Sequence, residues 1–186
     1  MKSSFAEKRE KSIAQISTAA LKIFAEAGYD KASIRDIAKE ANVALGLLYN
    51  YFPSKEALLA SIFQSSVQDA LILHVSEEEK LKFTLKDFIQ QIVKQVKLNQ
   101  NYWRLYFSMR FQTSTLKEIE ALMQENMQGN LQLLEHCLAE GAIPFRGMEA
   151  KFIWACLNGL FQQYLLEANY PLDDMAHLLI LKYDRK

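Results

Sequence analysis

Apolar residues recur along this chain at intervals of three and four, and this spacing predicts helices almost throughout. Glycine and proline are sparse, with six and three among 186 residues, so few positions interrupt the pattern. Nine helices are predicted, at about 5–27, 34–41, 45–51, 54–76, 84–98, 102–112, 115–140, 148–168 and 172–184. We therefore expect an all-α protein, in which Ser54 caps the fourth helix and Pro171 opens the last.

The stretch 33–55 contains two short predicted helices that are joined by a tight turn. Ser33 is a good N-cap, and Asp36 follows three residues later, as in a capping box. The first helix then has one apolar face, formed by Ile34, Ile37, Ala38 and Ala41. Asn42 can adopt the left-handed conformation that a sharp turn between helices requires.

The second helix of this stretch is too short to be stable alone, so it must pack against its neighbours. Leu48 and Phe52 are four residues apart and can anchor it. The remaining side chains then lie on other faces. A short helix held against another by a tight turn is the helix-turn-helix arrangement, in which the second helix enters the major groove of DNA.

These residues resemble the TetR family of bacterial transcriptional regulators. The positions that carry the resemblance are Ile37, Ala38, Ala41, Val43, Gly46, Leu48, Tyr49, Tyr51, Phe52, Lys55, Glu56 and Leu58. The first helix also matches, with Ile16, Ala19, Ala20, Leu21, Phe24 and the Gly28–Tyr29 break. Asn42 replaces a usual glycine, and Ala44 replaces a serine or threonine cap that contributes roughly 1 kcal/mol.

The resemblance implies an N-terminal three-helix helix-turn-helix DNA-binding domain and a larger C-terminal helical domain for ligand binding and dimerisation. We place the DNA-binding domain at 1–53, a connecting helix at 54–76 and the second domain at 77–186. The expected protein is a cytoplasmic homodimer, most often a repressor, that binds a palindromic double-stranded DNA operator. A small-molecule effector would release it, and no cofactor or metal is expected.

On this basis we predict which residues contact DNA. Tyr49, Tyr51 and Lys55 are expected at phosphates, with Ser33 at the N-terminus of its helix. Leu45, Leu47 and Asn50 are expected at base edges, since leucine can meet thymine methyls and asparagine can read adenine. Ala44 and Gly46 complete the predicted contact set. Residues 1–63 hold nine Lys and Arg against seven Asp and Glu, so the electrostatic footprint is small, although the whole chain is neutral.

An apolar effector pocket is predicted from an aromatic helix and a methionine-rich stripe that follows it. Methionine adapts to varied ligands, and apolar pockets with a few polar groups are the usual small-molecule sites. The predicted lining is Trp103, Phe107, Arg110, Met123, Met127, Trp154, Asn158 and Phe161. Arg110 and Asn158 are the expected polar contacts. The same residues could instead form a plain core.

The last two predicted helices are apolar on nearly every side, which is more than one chain can cover. We expect a symmetric contact of two helices from each chain. Its predicted residues are Phe152, Cys156, Gly159, Gln163, Met175 and Leu179. Gly159 costs about 1 kcal/mol in a helix interior, which suggests a packing reason for it.

No constellation of residues indicates an enzyme. His74, His136 and His177 lie far apart, and none has metal-ligand spacing with cysteine or carboxylate residues. Neither a glycine-rich phosphate loop nor a nucleophile elbow occurs. The main expectation is therefore an effector-released DNA-binding regulator. The alternative is a DNA-binding architectural or partner-recruiting protein without a small-molecule effector.

Overall fold

A computed structural model describes residues 4–70, 76, 82–110, 117–139 and 143–183 of the chain. Within these residues all regular structure is α-helical, which confirms the predicted fold class. The nine described helices are α1 (Ser4–Ala27), α2 (Ile34–Glu40), α3 (Leu45–Tyr51), α4 (Lys55–Ala70), α5 (Leu85–Leu98), α6 (Gln100–Met109), α7 (Lys117–Cys137), α8 (Arg146–Leu166) and α9 (Leu172–Tyr183).

The predicted helix bounds agree with these elements to within a few residues where the structure describes them. The fourth helix was predicted to reach about Ser76. α4 is described to Ala70, and the predicted part at 71–75 lies outside the described residues. Ser54 caps α4 as predicted, because its hydroxyl oxygen accepts a hydrogen bond from the Ala57 N–H at 3.1 Å.

Contacts between residues divide the chain into two compact units. The first comprises Met1–Ser66 with Asn101–Glu120, and the second comprises Val67–Gln100 with Ala121–Lys186. The first unit therefore includes most of α6, which the sequence-based boundaries had assigned to the C-terminal domain.

The first unit has an aliphatic and aromatic core. α1 packs against α2, and α2 packs against α3. The most fully buried side chains of α1 to α4 are Ile16, Ala20, Phe24, Ile37, Leu48, Leu58, Leu59 and Phe63. An ion pair also joins α1 to α2, with the Lys22 ammonium 2.6 Å from the Glu40 carboxylate. On α6, the Tyr102 ring meets the Phe63 ring edge-on at a centroid distance of 5.7 Å.

The second unit is organised around α5, α8 and α9. Thr84 and Asp87 form a capping box that begins α5, and one face of that helix is buried through Phe88, Ile89, Ile92, Val93 and Val96. α9 packs against both α5 and α8. The Tyr183 hydroxyl donates to the Glu149 carboxylate at 2.6 Å, which fixes the end of α9 against α8.

Among the described helices, none combines the length and the apolar character that a membrane crossing would need.

Candidate functional site

The turn between α2 and α3 has the geometry that its sequence predicts. Ser33 caps α2, since its hydroxyl oxygen accepts from the Asp36 N–H at 3.2 Å. Asn42 is left-handed with a φ of 53°, and the next N–H, that of Val43, donates to the Ala38 carbonyl at 3.0 Å. These local bonds end α2 and turn the chain into α3 within four residues, 41–44.

α3 is anchored by one side and presents the other to solvent. Leu48 is completely buried and Phe52 is buried just after the helix, as predicted. Gly46, Tyr49 and Asn50 are exposed on α3, and Tyr49 exposes 49% of its surface. The half-buried members of the predicted contact set on α3 are Leu45, Leu47 and Tyr51. The helix therefore presents a mixed polar and apolar surface to solvent.

Two small residues, Ala44 and Gly46, lie exposed at the start of α3. Ala44 is exposed and gives no side-chain cap, as its sequence predicts. A Cβ atom added at Gly46 would have no non-local atom within 4 Å. Packing within the chain therefore gives no reason for a glycine in this helix, where it costs about 1 kcal/mol relative to alanine. Close approach by another molecule would give one.

Lys55 holds the loop that precedes α2. Its ammonium donates to the carbonyl oxygens of Tyr29 at 2.9 Å, Ala32 at 3.3 Å and Asp30 at 3.4 Å. An ammonium has three N–H groups, so these carbonyls can satisfy all of them. The phosphate contact expected of Lys55 stays a prediction, but the side chain already has a structural function.

One basic residue outside the predicted contact set, Arg9, lies beside Tyr51. The Arg9 guanidinium lies 5.9 Å from the centroid of the Tyr51 ring, within the range of a cation–π interaction. Arg9 is exposed on α1. No pattern in the sequence indicates this proximity, because the two residues are far apart in the chain. It places a positive charge next to a side chain that we expect at the DNA backbone.

The eight predicted effector residues fall into two groups. Trp103, Phe107 and Arg110 belong to the first unit, and the other five belong to the second. Phe107 is half-buried and lies 6.0 Å from the Trp103 ring and 5.4 Å from the Tyr106 ring, measured between centroids. Arg110 is exposed, with its guanidinium 6.0 Å from the centroid of Tyr106.

In the second unit, Met123 and Met127 are half-buried on α7, and Trp154, Asn158 and Phe161 are buried on α8. The Asn158 amide donates to the Trp154 carbonyl one turn earlier, at 2.6 Å. This backbone bond supplies the partner that a buried asparagine was expected to need. A common pocket for the eight residues stays a prediction.

The described cavity of the second unit is a groove between α5 and α9, with a volume of about 390 Å³. Its charged rim includes an ion pair of 2.6 Å between the Lys97 ammonium and the Asp173 carboxylate. The residues lining it are Gln90, Val93, Lys94, Lys97, Leu98, Asp173, Ala176, His177 and Ile180. None of the eight predicted effector residues lines this groove.

The predicted dimer residues are mostly accessible on α8 and α9. Phe152 exposes 57% of its surface, Gly159 and Gln163 are exposed, and Cys156 and Met175 are half-buried. Leu179 is covered by its own chain, with 6% of its surface exposed. It therefore lies beneath the exposed surface and contributes little contact area of its own. Other large apolar side chains outside the predicted dimer set are also exposed in this part of the chain, namely Phe145, Met148, Leu166, Leu178 and Leu181.

This helix-turn-helix geometry defines a DNA-binding protein class, and comparisons with known proteins specify the family. Residues 16–62 match the profile described as bacterial regulatory proteins of the tetR family. A Bacillus subtilis protein named "Fatty acid metabolism regulator protein" is 30% identical over 130 residues, covering 68% of this chain and 66% of the relative. A second B. subtilis relative, the uncharacterised HTH-type transcriptional regulator YvdT, is 44% identical over 57 residues, covering 31% of this chain and 29% of its own. The chain thus aligns with less than two thirds of these relatives' lengths.

Solved structures share the fold over nearly the whole chain. The transcriptional regulator FadR from B. subtilis, in complex with stearoyl-CoA, has a TM-score of 0.72 at 24% identity, covering 91% of this chain and 96% of its own. A regulator from Saccharomonospora viridis in complex with choline has a TM-score of 0.70 at 20% identity, covering 94% of each chain. This chain belongs to the TetR family of helix-turn-helix DNA-binding transcription regulators. Members of this family regulate transcription and are not enzymes, which agrees with the prediction that this chain is not an enzyme.

Proposed function

We propose that the protein is a homodimeric repressor that binds a palindromic operator through two copies of residues 33–55. The observation that carries this proposal is the division of α3 into a fully buried anchor, Leu48, and an exposed face with Gly46, Tyr49 and Asn50. Such a helix can enter a major groove without losing its packing on the domain. A chromosomal target implies action in the bacterial cytoplasm.

The apolar surface of α8 and α9 supports the homodimer. Phe152, Leu178 and Leu181 are each more than half exposed, although burying such side chains stabilises a protein by about 1.5–3 kcal/mol each. Among the described residues, a Cβ at Gly159 would meet no non-local atom within 4 Å, so packing within this part of its own chain does not require the glycine. A second copy of the same surface would cover both features, and a two-fold pair is what a palindromic operator calls for.

The effector is proposed to be a lipophilic molecule, and a fatty acyl derivative is the leading class. The alignment with the fatty acid metabolism regulator spans 130 residues and so extends well beyond the helix-turn-helix segment at 16–62. The predicted lining also favours an acyl chain, since its aromatic and methionine side chains provide few hydrogen bonds for a sugar or nucleotide.

The experiment begins by selecting operator DNA from a random pool with the purified protein. Stearoyl-CoA is then titrated into the protein–operator complex, with CoA alone as the control for the polar part. We expect release by stearoyl-CoA and not by CoA. Phe107→Ala should weaken release, whereas Phe83→Ala, which also removes a half-buried ring, should not.

Three results would each contradict a different part of the proposal. Selection without any preferred DNA sequence would reject the operator-binding function. A preferred operator that no acyl-CoA, fatty acid or other lipophilic compound releases would favour the second candidate, an architectural or partner-recruiting DNA-binding protein. A monomer at micromolar concentration in sedimentation would reject the homodimer.

A further inference from the structure

The buried polar side chains of the described residues are three asparagines, Asn126, Asn130 and Asn158. All three lie in the second unit. Asn130 is 4% exposed, and Leu133 and Leu134, one turn later on α7, are buried beside it. A buried amide costs free energy unless its donors and acceptors find partners, so each asparagine in such a place calls for an explanation.

The orientation of the Asn130 amide is set by its own helix. Its Nδ2 donates to the Asn126 carbonyl oxygen at 3.0 Å, and an exchanged amide would place two oxygen atoms against each other there. The carboxamide oxygen Oδ1 is buried, and none of the described residues donates a hydrogen bond to it. α7 therefore holds one buried acceptor that lacks a donor.

A second buried atom of the opposite type occurs in the same unit. The indole Nε1 of Trp154 is a donor, Trp154 is 6% exposed, and none of the described residues accepts from this nitrogen. The ring is held by packing, with its centroid 6.5 Å from that of Phe88. Leaving a buried donor or acceptor unpaired costs about 1–3 kcal/mol, so a protein rarely keeps two in one core without a use.

We propose that the effector supplies both missing partners, donating an N–H or O–H to Asn130 Oδ1 and accepting a hydrogen bond from Trp154 Nε1. This inference rests on the proposed function, because it requires a small-molecule effector. It specifies that the effector is an apolar molecule with a group that both donates and accepts, such as an amide or a hydroxyl. A plain hydrocarbon chain satisfies neither atom, whereas an acyl-CoA carries amide groups as well as its chain.

Three probes with one saturated chain length separate the two contacts. An alkyl amide provides a donor and an acceptor, the methyl ester provides an acceptor alone, and the alkane provides neither. Calorimetric titration of the full-length protein should give affinities in the order amide, ester, alkane, with steps of about tenfold for each hydrogen bond. Asn130→Leu should abolish the difference between amide and ester. Trp154→Phe should abolish the difference between ester and alkane.

Thermal unfolding of the protein without ligand provides the second readout. Asn130→Leu replaces an amide whose oxygen is unpaired by an apolar group of similar size, so its Tm should equal or exceed that of the unsubstituted protein. Gln132→Leu, which removes an exposed amide from the same helix, is the matched control and should leave the order of the probes unchanged. Asn130→Ala serves as the smaller variant if the leucine does not fold.

The outcomes distinguish this inference from the proposed function. Equal binding of all three probes would reject the polar contacts and leave a lipophilic effector site in place. An amide preference that survives in Asn130→Leu or Asn130→Ala, or a large drop in Tm without ligand, would assign Asn130 a purely structural function. Binding of none of the probes, nor of stearoyl-CoA, would reject both this inference and the lipophilic effector of the proposed function, and would leave operator binding untouched.

Discussion

The ammonium of Lys55 lies 4.3 Å from the centroid of the Tyr29 ring and donates to the Tyr29 carbonyl oxygen at 2.9 Å. The Tyr29 hydroxyl in turn donates to the Glu56 carboxylate at 3.3 Å. The first turn of α4 is thus bonded to the loop between α1 and α2, on which the position of the helix-turn-helix depends. Burial first, and then the Glu56 carboxylate, raise the pKa of the Tyr29 phenol.

Lys55→Ala is therefore expected to lower the stability of the protein as well as its affinity for DNA. The loss of charge-assisted bonds to partly buried carbonyls should reduce the free energy of unfolding by about 2 kcal/mol. Chemical denaturation measures this, with Lys39→Ala as the control because Lys39 is exposed on α2. If Lys55→Ala is as stable as the unsubstituted protein and only DNA affinity falls, Lys55 acts at phosphate alone.

The two exposed polar residues of α3 should have separable effects on DNA. Asn50→Ala is expected to alter base preference, because a bidentate asparagine–adenine contact discriminates by about 1–3 kcal/mol. Tyr49→Phe removes a hydroxyl expected at phosphate and should weaken binding to all sequences alike, by about tenfold.

Binding of the selected operator and of variants with one changed base pair, measured by fluorescence anisotropy, separates these effects. Asn101→Ala is the control, since it removes an exposed asparagine from α6. Unchanged preference in Asn50→Ala would exclude this side chain from base reading.

The features that were predictable from sequence are those that depend on neighbouring residues. The Ser33 and Ser54 caps, the left-handed Asn42 and the uncapped start of α3 at Ala44 all depend on bonds within a few residues, and each was predicted correctly. A cap needs only the right side chain next to the first turn of a helix, so its sequence signal is local.

Features that depend on distant residues were not predictable in this way. Lys55 meets carbonyls more than twenty residues earlier, and Arg9 meets Tyr51 across an even longer separation. Asn130 has no distinguishing signal in the sequence, because its importance depends on burial and on which partners surround it. The predicted effector residues share helical periodicity with any core, so their pattern alone does not separate a lining from ordinary packing.

The capping box of α5 predicts how stability depends on pH. Hydrogen bonds from the Thr84 hydroxyl and N–H hold the pKa of the Asp87 carboxyl below its usual range. A lowered folded-state pKa contributes stability above the unfolded value of about 3.9, and this contribution is lost as the pH falls through the folded-state pKa. Because Asp87 is only half-buried and solvent screens its charge, we expect a small effect.

Asp87→Asn should therefore cost more stability at neutral pH than at pH values near the acid transition. Denaturant unfolding across the pH range measures the difference. In a Thr84→Ala background the same substitution should have little effect, because the partner has already been removed. A cost of Asp87→Asn that is independent of pH would show that the carboxylate charge does not contribute.

Gly159→Leu tests the dimer surface without disturbing the monomer. Since an added Cβ would meet no non-local atom within 4 Å, the leucine side chain should be accommodated by the isolated chain, and helix propensity should rise. At a close helix contact between two chains, overpacking typically costs about 1–3 kcal/mol, which corresponds to a dissociation constant raised roughly 5- to 150-fold. Sedimentation velocity should then show dissociation at concentrations where the unsubstituted protein is dimeric, with unchanged circular dichroism.

Gln132→Leu adds a leucine to an exposed position on α7 and should remain dimeric. A Gly159→Leu protein that dimerises with undiminished affinity would place the contact elsewhere, and the exposed Phe145, Met148 and Leu166 would be the next positions to substitute.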